Sequence, residues 1–99
     1  MITKGLLARI VAKPGKEQEV EGFLKSALPL AEAEEKTITW YAFKIDDSTF
    51  GIFDSFEGEE GQTAHLEGEI AAALMGKADE LLAKDPVIEK LDLLAAKGY

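Results

Sequence analysis

The chain has 99 residues, 46% of them hydrophobic, with a net charge of −8 and a pI near 4.6. That is one domain, residues 1–99, which buries about 60–70% of its unfolded surface. Its acidity excludes a phosphate backbone or an anionic membrane surface as a partner, because both require clustered Lys and Arg. Basic residues come close together only over Arg9–Lys16 and Lys84–Lys97, and acidic residues interrupt the second stretch. With no cysteine there is no disulfide framework, thiolate nucleophile or Cys-based metal site. No apolar run approaches the roughly 20 residues of a spanning helix. The N-terminal stretch lacks the apolar core and small-residue cleavage site of a signal peptide, so the cytoplasm is the expected compartment.

Leu6–Ala12 is a short apolar run with β-branched residues and is expected to be a strand that Pro14 and Gly15 stop. From Lys16 onward, Val20, Phe23, Leu24, Ala27 and Ala31 follow three-and-four spacing and predict an amphipathic helix. Pro29 lies inside that pattern, removes a backbone donor and predicts a kink or break near Ala27–Leu28. The following AEAEEK segment is expected to close this helix in solvent.

Ile38–Ile45 is dense in aromatic and β-branched residues and predicts a strand. Asp46-Asp47-Ser48 is turn chemistry, so Thr49–Phe56 follows as the second arm of an antiparallel hairpin. Alternation puts Phe50, Ile52, Asp54 and Phe56 on one face and Gly51 and Phe53 on the other. Apolar side chains on both faces imply that both are covered, one by helices and the other by a second subunit. A second helical pattern runs from Glu59 to about Ala83, with Leu66, Ile70, Leu74, Ala78 and Leu81 or Leu82 on one face and a break expected at Gly68. Asp85-Pro86 ends it, and Val87–Leu94 is expected to be the last strand.

The order β-α-β-β-α-β predicts an α+β, ferredoxin-like fold: a four-stranded antiparallel sheet with two helices on one face. Its bare face would then pair with a second copy to form a homodimer.

His65 is the single histidine and the one side chain that titrates near neutral pH without help from its surroundings. Two readings stand beside each other: a histidine satisfied by a carbonyl or carboxylate at a subunit boundary, or a general base or hydrogen-bond donor facing a pocket. Metal ligation lacks supporting ligands at suitable spacing. Asp54 is a carboxylate within an aromatic strand and needs a cation or hydrogen bonds. Arg9 in the first strand is the expected ion-pair partner, and orientation of His65 is the alternative role. Trp40 and Tyr41 lie on opposite faces of one strand. Packing accounts for both, and either could stack on a flat ring. Phe50 and Phe53 could line an apolar cavity.

The TWYAFKI strand, the FGIFDSFE strand, the helix AHLEGEIAAALM with His65 near its start, and the DPVIEKLDLLA ending together resemble the antibiotic biosynthesis monooxygenase family. The resemblance implies a dimeric α+β barrel, two ferredoxin-like subunits stacked sheet to sheet. It also implies a cofactor-free monooxygenase of an electron-rich aromatic such as a quinol or anthrone. In that case His65 is the catalytic base, Asp54 its orienting carboxylate, and Trp40, Tyr41, Phe50 and Phe53 hold the ring. A second histidine found in some members is missing, and the chain has no asparagine, which removes the haem-degrading pattern of related members. A non-catalytic ligand-binding or stress-related module of the same fold is the alternative.

Overall fold

In the computed structural model, which describes residues 1–98, β-branched and aromatic runs form strands and the three-and-four patterns form helices. The strands are β1 (Lys4–Val11), β2 (Thr39–Lys44), β3 (Thr49–Phe56) and β4 (Val87–Asp92). They form one antiparallel sheet in the order β2-β3-β1-β4. The helices are α1 (Glu17–Ser26), α2 (Leu28–Ala33), α3 (Glu59–Leu66) and α4 (Glu69–Leu81). Each expected helix is therefore a broken pair. Pro29 sits in the first turn of α2, where its missing N–H costs nothing. Gly68 is the extended residue from which α4 starts. The β2–β3 turn closes as foreseen: Asp46 Oδ1 accepts from the backbone N–H of Ser48 at 3.0 Å and of Thr49 at 2.8 Å.

All the helices cover one face of the sheet. Leu6, Ala8 and Ile10 of β1 and Phe50, Ile52, Asp54 and Phe56 of β3 point into that layer and are buried. Val20 and Leu24 of α1 and Leu74, Ala78 and Leu81 of α4 pack on Ile10, Phe50 and Ile52. A second cluster joins Ala27, Ala31 and Ile70, with Leu30 and Trp40 against it.

The opposite face carries Leu7, Arg9, Tyr41, Phe43, Phe53 and Val87, and none of the described helices crosses it. Tyr41 is 55% exposed, Phe43 37% and Val87 46%. The register corrects one expectation. Arg9 pairs with Gly51 and is exposed on this bare face, whereas Asp54 pairs with Leu6 and points at the helices. Arg9 lies three positions along β1 from Leu6, and an odd offset puts the two charges on opposite sides of the sheet, so Arg9 is not the partner of Asp54.

Candidate functional site

Asp54 is 1% exposed and His65 8%. The strand register aims Asp54 at α3, and the last turn of α3 carries His65. His65 Nε2 lies 2.8 Å from Asp54 Oδ2. This is a charge contact more than an aligned hydrogen bond, for neither Asp54 oxygen has a well-directed donor among the described residues. On the other side of the ring, Nδ1 bonds Glu34 Oε1 at 2.6 Å. Thr37 Oγ1 donates to the same Glu34 oxygen at 2.7 Å. The Phe56 ring packs beside the imidazole, 5.6 Å between centroids. Gln62, buried one turn earlier on α3, donates its amide to Gly5 O at 2.8 Å and ties α3 to β1.

Burial alone would strip His65 of its proton, but Asp54 and Glu34 outweigh that penalty and push its pKa up to about 9. Burial likewise pushes the Asp54 carboxyl above the usual carboxylate range, and the His65 charge partly offsets the rise. At neutral pH the unit is an imidazolium held between two carboxyl groups. Such a unit can receive a proton on a carboxyl oxygen and return one from the imidazolium.

His65 borders two spaces. The outer one is a cleft of about 470 Å³ between the α2–β2 loop and the α3–α4 junction, walled by Leu30, Glu34, Thr37, Gly61, Ala64 and Gly68 among others. The inner one is an apolar cavity of about 30 Å³ between the helices and the sheet, where Leu6, Ile52, Ile70 and Ile88 surround Asp54 and His65. The outer cleft depends on two close approaches. A Cβ on Gly61 would stand 3.0 Å from Lys36 O, and one on Gly68 would stand 3.2 Å from Glu34 Oε2.

Of the residues singled out in the sequence, His65 and Asp54 meet directly. The four aromatic residues line neither space. Tyr41 and Phe53 stack on each other across the bare face, 6.3 Å between centroids. Phe50 lies in the core with the Lys44 ammonium over its ring. Trp40 packs against both core clusters, and its buried indole N–H has no partner among the described residues. Glu34 and Thr37 were not foreseen. The AEAEEK segment reads as solvated, yet the Glu34 side chain turns inward to a histidine 31 positions away, a separation that leaves no local pattern. Among the described residues no group of three His, Cys, Asp or Glu side chains is placed to hold a metal ion.

The fold and site define a ferredoxin-like α+β protein with a buried carboxyl–imidazolium–carboxyl unit at the wall of a cleft. The crystal structure of the NE2512 protein of unknown function from Nitrosomonas europaea is 55% identical to this chain, over 98% of this chain and 94% of that one, with a TM-score of 0.96. The chain belongs to the family of that protein. Protein PA3566 from Pseudomonas aeruginosa is 21% identical over 96% of this chain and 97% of its own, with a TM-score of 0.80. A structure described as an antibiotic biosynthesis monooxygenase is 14% identical over 93% and 99% of the two chains, with a TM-score of 0.79. At these last two identities the likeness is one of fold. No family model matches the chain, and no curated protein matches it.

Proposed function

We propose that the protein is a cofactor-free oxygenase of a small electron-rich aromatic, a quinol or an anthrone, with Glu34, His65 and Asp54 as its proton-handling unit. The observation that carries this reading is His65 itself, buried between two carboxyl groups and bordering a cleft of ligand size. The fold shared with a structure described as an antibiotic biosynthesis monooxygenase agrees with it.

For an anthrone-like CH₂ the reaction balances without a metal or flavin. A carboxyl oxygen of the unit takes one proton, leaving a delocalised carbanion. The carbanion passes one electron to dioxygen, and the two radicals combine into a C–O bond. The unit returns its proton to the resulting peroxide. Loss of water leaves a carbonyl, so CH₂ plus O₂ gives C=O plus H₂O. His65 does not work alone as a free base here, since its ring already holds a proton at neutral pH. It balances the negative charge that builds up during the reaction, held between the two carboxyl groups.

His65→Gln and Asp54→Asn test this through aerobic oxidation of an anthrone or a hydroquinone. The proposal expects each to lower kcat/KM by about 100-fold or more, the scale of a lost acid–base group, with the circular dichroism spectrum unchanged. Oxidation at the parental rate would end the oxygenase reading. The four aromatic residues standing away from the cleft favour a second reading, a binding module that holds a ligand in the same place without turning it over. Binding without oxygen uptake by the parent protein would support that one.

We also propose that two copies pair through the bare sheet face, where Tyr41, Phe43 and Val87 leave apolar surface in water.

A further inference from the structure

The outer cleft has an acceptor without a donor. Glu34 Oε1 is saturated by Thr37 Oγ1 and His65 Nδ1. Glu34 Oε2 makes no hydrogen bond among the described residues and lies at the cleft wall beside Gly68, where a Cβ would stand 3.2 Å from it. The remaining charges are lopsided. Glu35, Glu69 and Lys36 also line the cleft, and the Lys36 ammonium is paired with Glu60. The apolar part of the wall comes from Leu30, Ala33 and Ala64.

From this geometry we infer that Glu34 is the residue that meets the ligand. Its Oε2 accepts a hydrogen bond from an uncharged O–H or N–H on a small apolar body, and the cleft turns away anionic ligands. The inference rests on the proton-handling reading for its consequence, since a phenolic O–H bonded to Glu34 sits where the unit can accept its proton. Its binding claim stands apart from turnover. A charge-assisted hydrogen bond of this kind is among the stronger ones, and a ligand carboxylate or sulfonate would meet a wall carrying Glu34, Glu35 and Glu69, where the His65 charge is already engaged by Glu34 and Asp54. The sequence does not single out Glu34, because nothing in AEAEEK marks one of its three carboxylates as turned inward.

The test is anaerobic calorimetric titration of the protein with 1,4-naphthohydroquinone, its dimethyl ether and its sulfonate. The parent protein is expected to bind the hydroquinone about tenfold or more tighter than either analogue. Glu34→Gln should erase the preference over the ether, whatever happens to the absolute affinity. Glu35→Gln leaves the Glu34–His65 contact in place and should relax the discrimination against the sulfonate, which keeps the inference open to disproof if the Glu34 variant does not fold. Equal binding of hydroquinone and ether by the parent, or no binding of the hydroquinone, overturns it. Binding in the expected order with no oxygen uptake upholds the inference and ends the oxygenase reading.

Discussion

At the scale of single residues, the buried His65 links stability to pH in a definite direction. Its pKa stands near 9 in the folded protein against 6.5 for an ordinary histidine. The folded state therefore holds that proton more tightly, and the gain is complete below pH 6.5 and lost as pH rises to about 9. The difference corresponds to about 3 kcal/mol. Asp54 acts in the same direction in a more acidic window, because its folded pKa is also raised. The account predicts a melting temperature that falls steadily between pH 6.5 and 9.5, followed by circular dichroism, and a flat profile over that range for His65→Gln. A parent profile that is flat there would contradict it. The chemistry of this residue was legible in the sequence as a lone titratable group at the edge of a helix's apolar stripe. Its surroundings were only half legible. Alternation along β3 put Asp54 on one face with Phe50, Ile52 and Phe56, but which cation it meets depends on the β1–β3 register, and the odd offset of Arg9 from Leu6 removes Arg9 from consideration. Glu34 was hidden because loop carboxylates carry no periodicity.

At the scale of elements, each helix pair follows from a break in an apolar pattern. Pro29 and Gly68 divide the two expected helices at the places their backbone chemistry dictates. These elements were legible because a missing donor and a missing Cβ act locally, whereas the ends of β4 and of α4 differ from expectation by two residues, where edge pairing sets the limit. The α4 face yields a contrast. Leu74 is buried against the sheet and Met75 beside it is exposed. Leu74→Ala should cost about 2–5 kcal/mol, while Met75→Ala stays within about 0.5 kcal/mol, both read by urea unfolding. Similar losses for the two would mean that α4 is turned differently on its axis. At the α3–α4 junction, a Cβ on Gly68 would meet the carbonyls of Ala64 and His65 at 3.3 Å as well as the Glu34 carboxylate. Backbone carbonyls in a helix end cannot move aside, so Gly68→Ala should destabilise the protein by about 1 kcal/mol.

At the scale of the whole molecule, a chain this short leaves a large part of its surface in water, and one sheet face carries exposed aromatic side chains. Sedimentation equilibrium at micromolar concentration is expected to return twice the chain mass, and Phe43→Glu to shift it toward one chain. A parent protein that sediments as a single chain would remove the proposed dimer. The two-sided apolar character of β2 and β3 made an unpartnered face legible in the sequence. The expectation that a second copy covers it goes beyond alternation, which reports burial and not the identity of the neighbour. No helix among the described residues is long and apolar enough to cross a membrane.

All of the proposed chemistry depends on His65 being held as a cation by Glu34 and Asp54. Because the chain has a single histidine, its imidazole gives one Cε1–H resonance, and following that resonance by NMR between pH 5 and 11 reads the group directly. The account predicts a midpoint near 9, falling toward the ordinary histidine value in Asp54→Asn and in Glu34→Gln. A midpoint at or below that ordinary value in the parent protein would show that the two carboxyl groups do not hold the charge, and the proton-handling unit would fall with it.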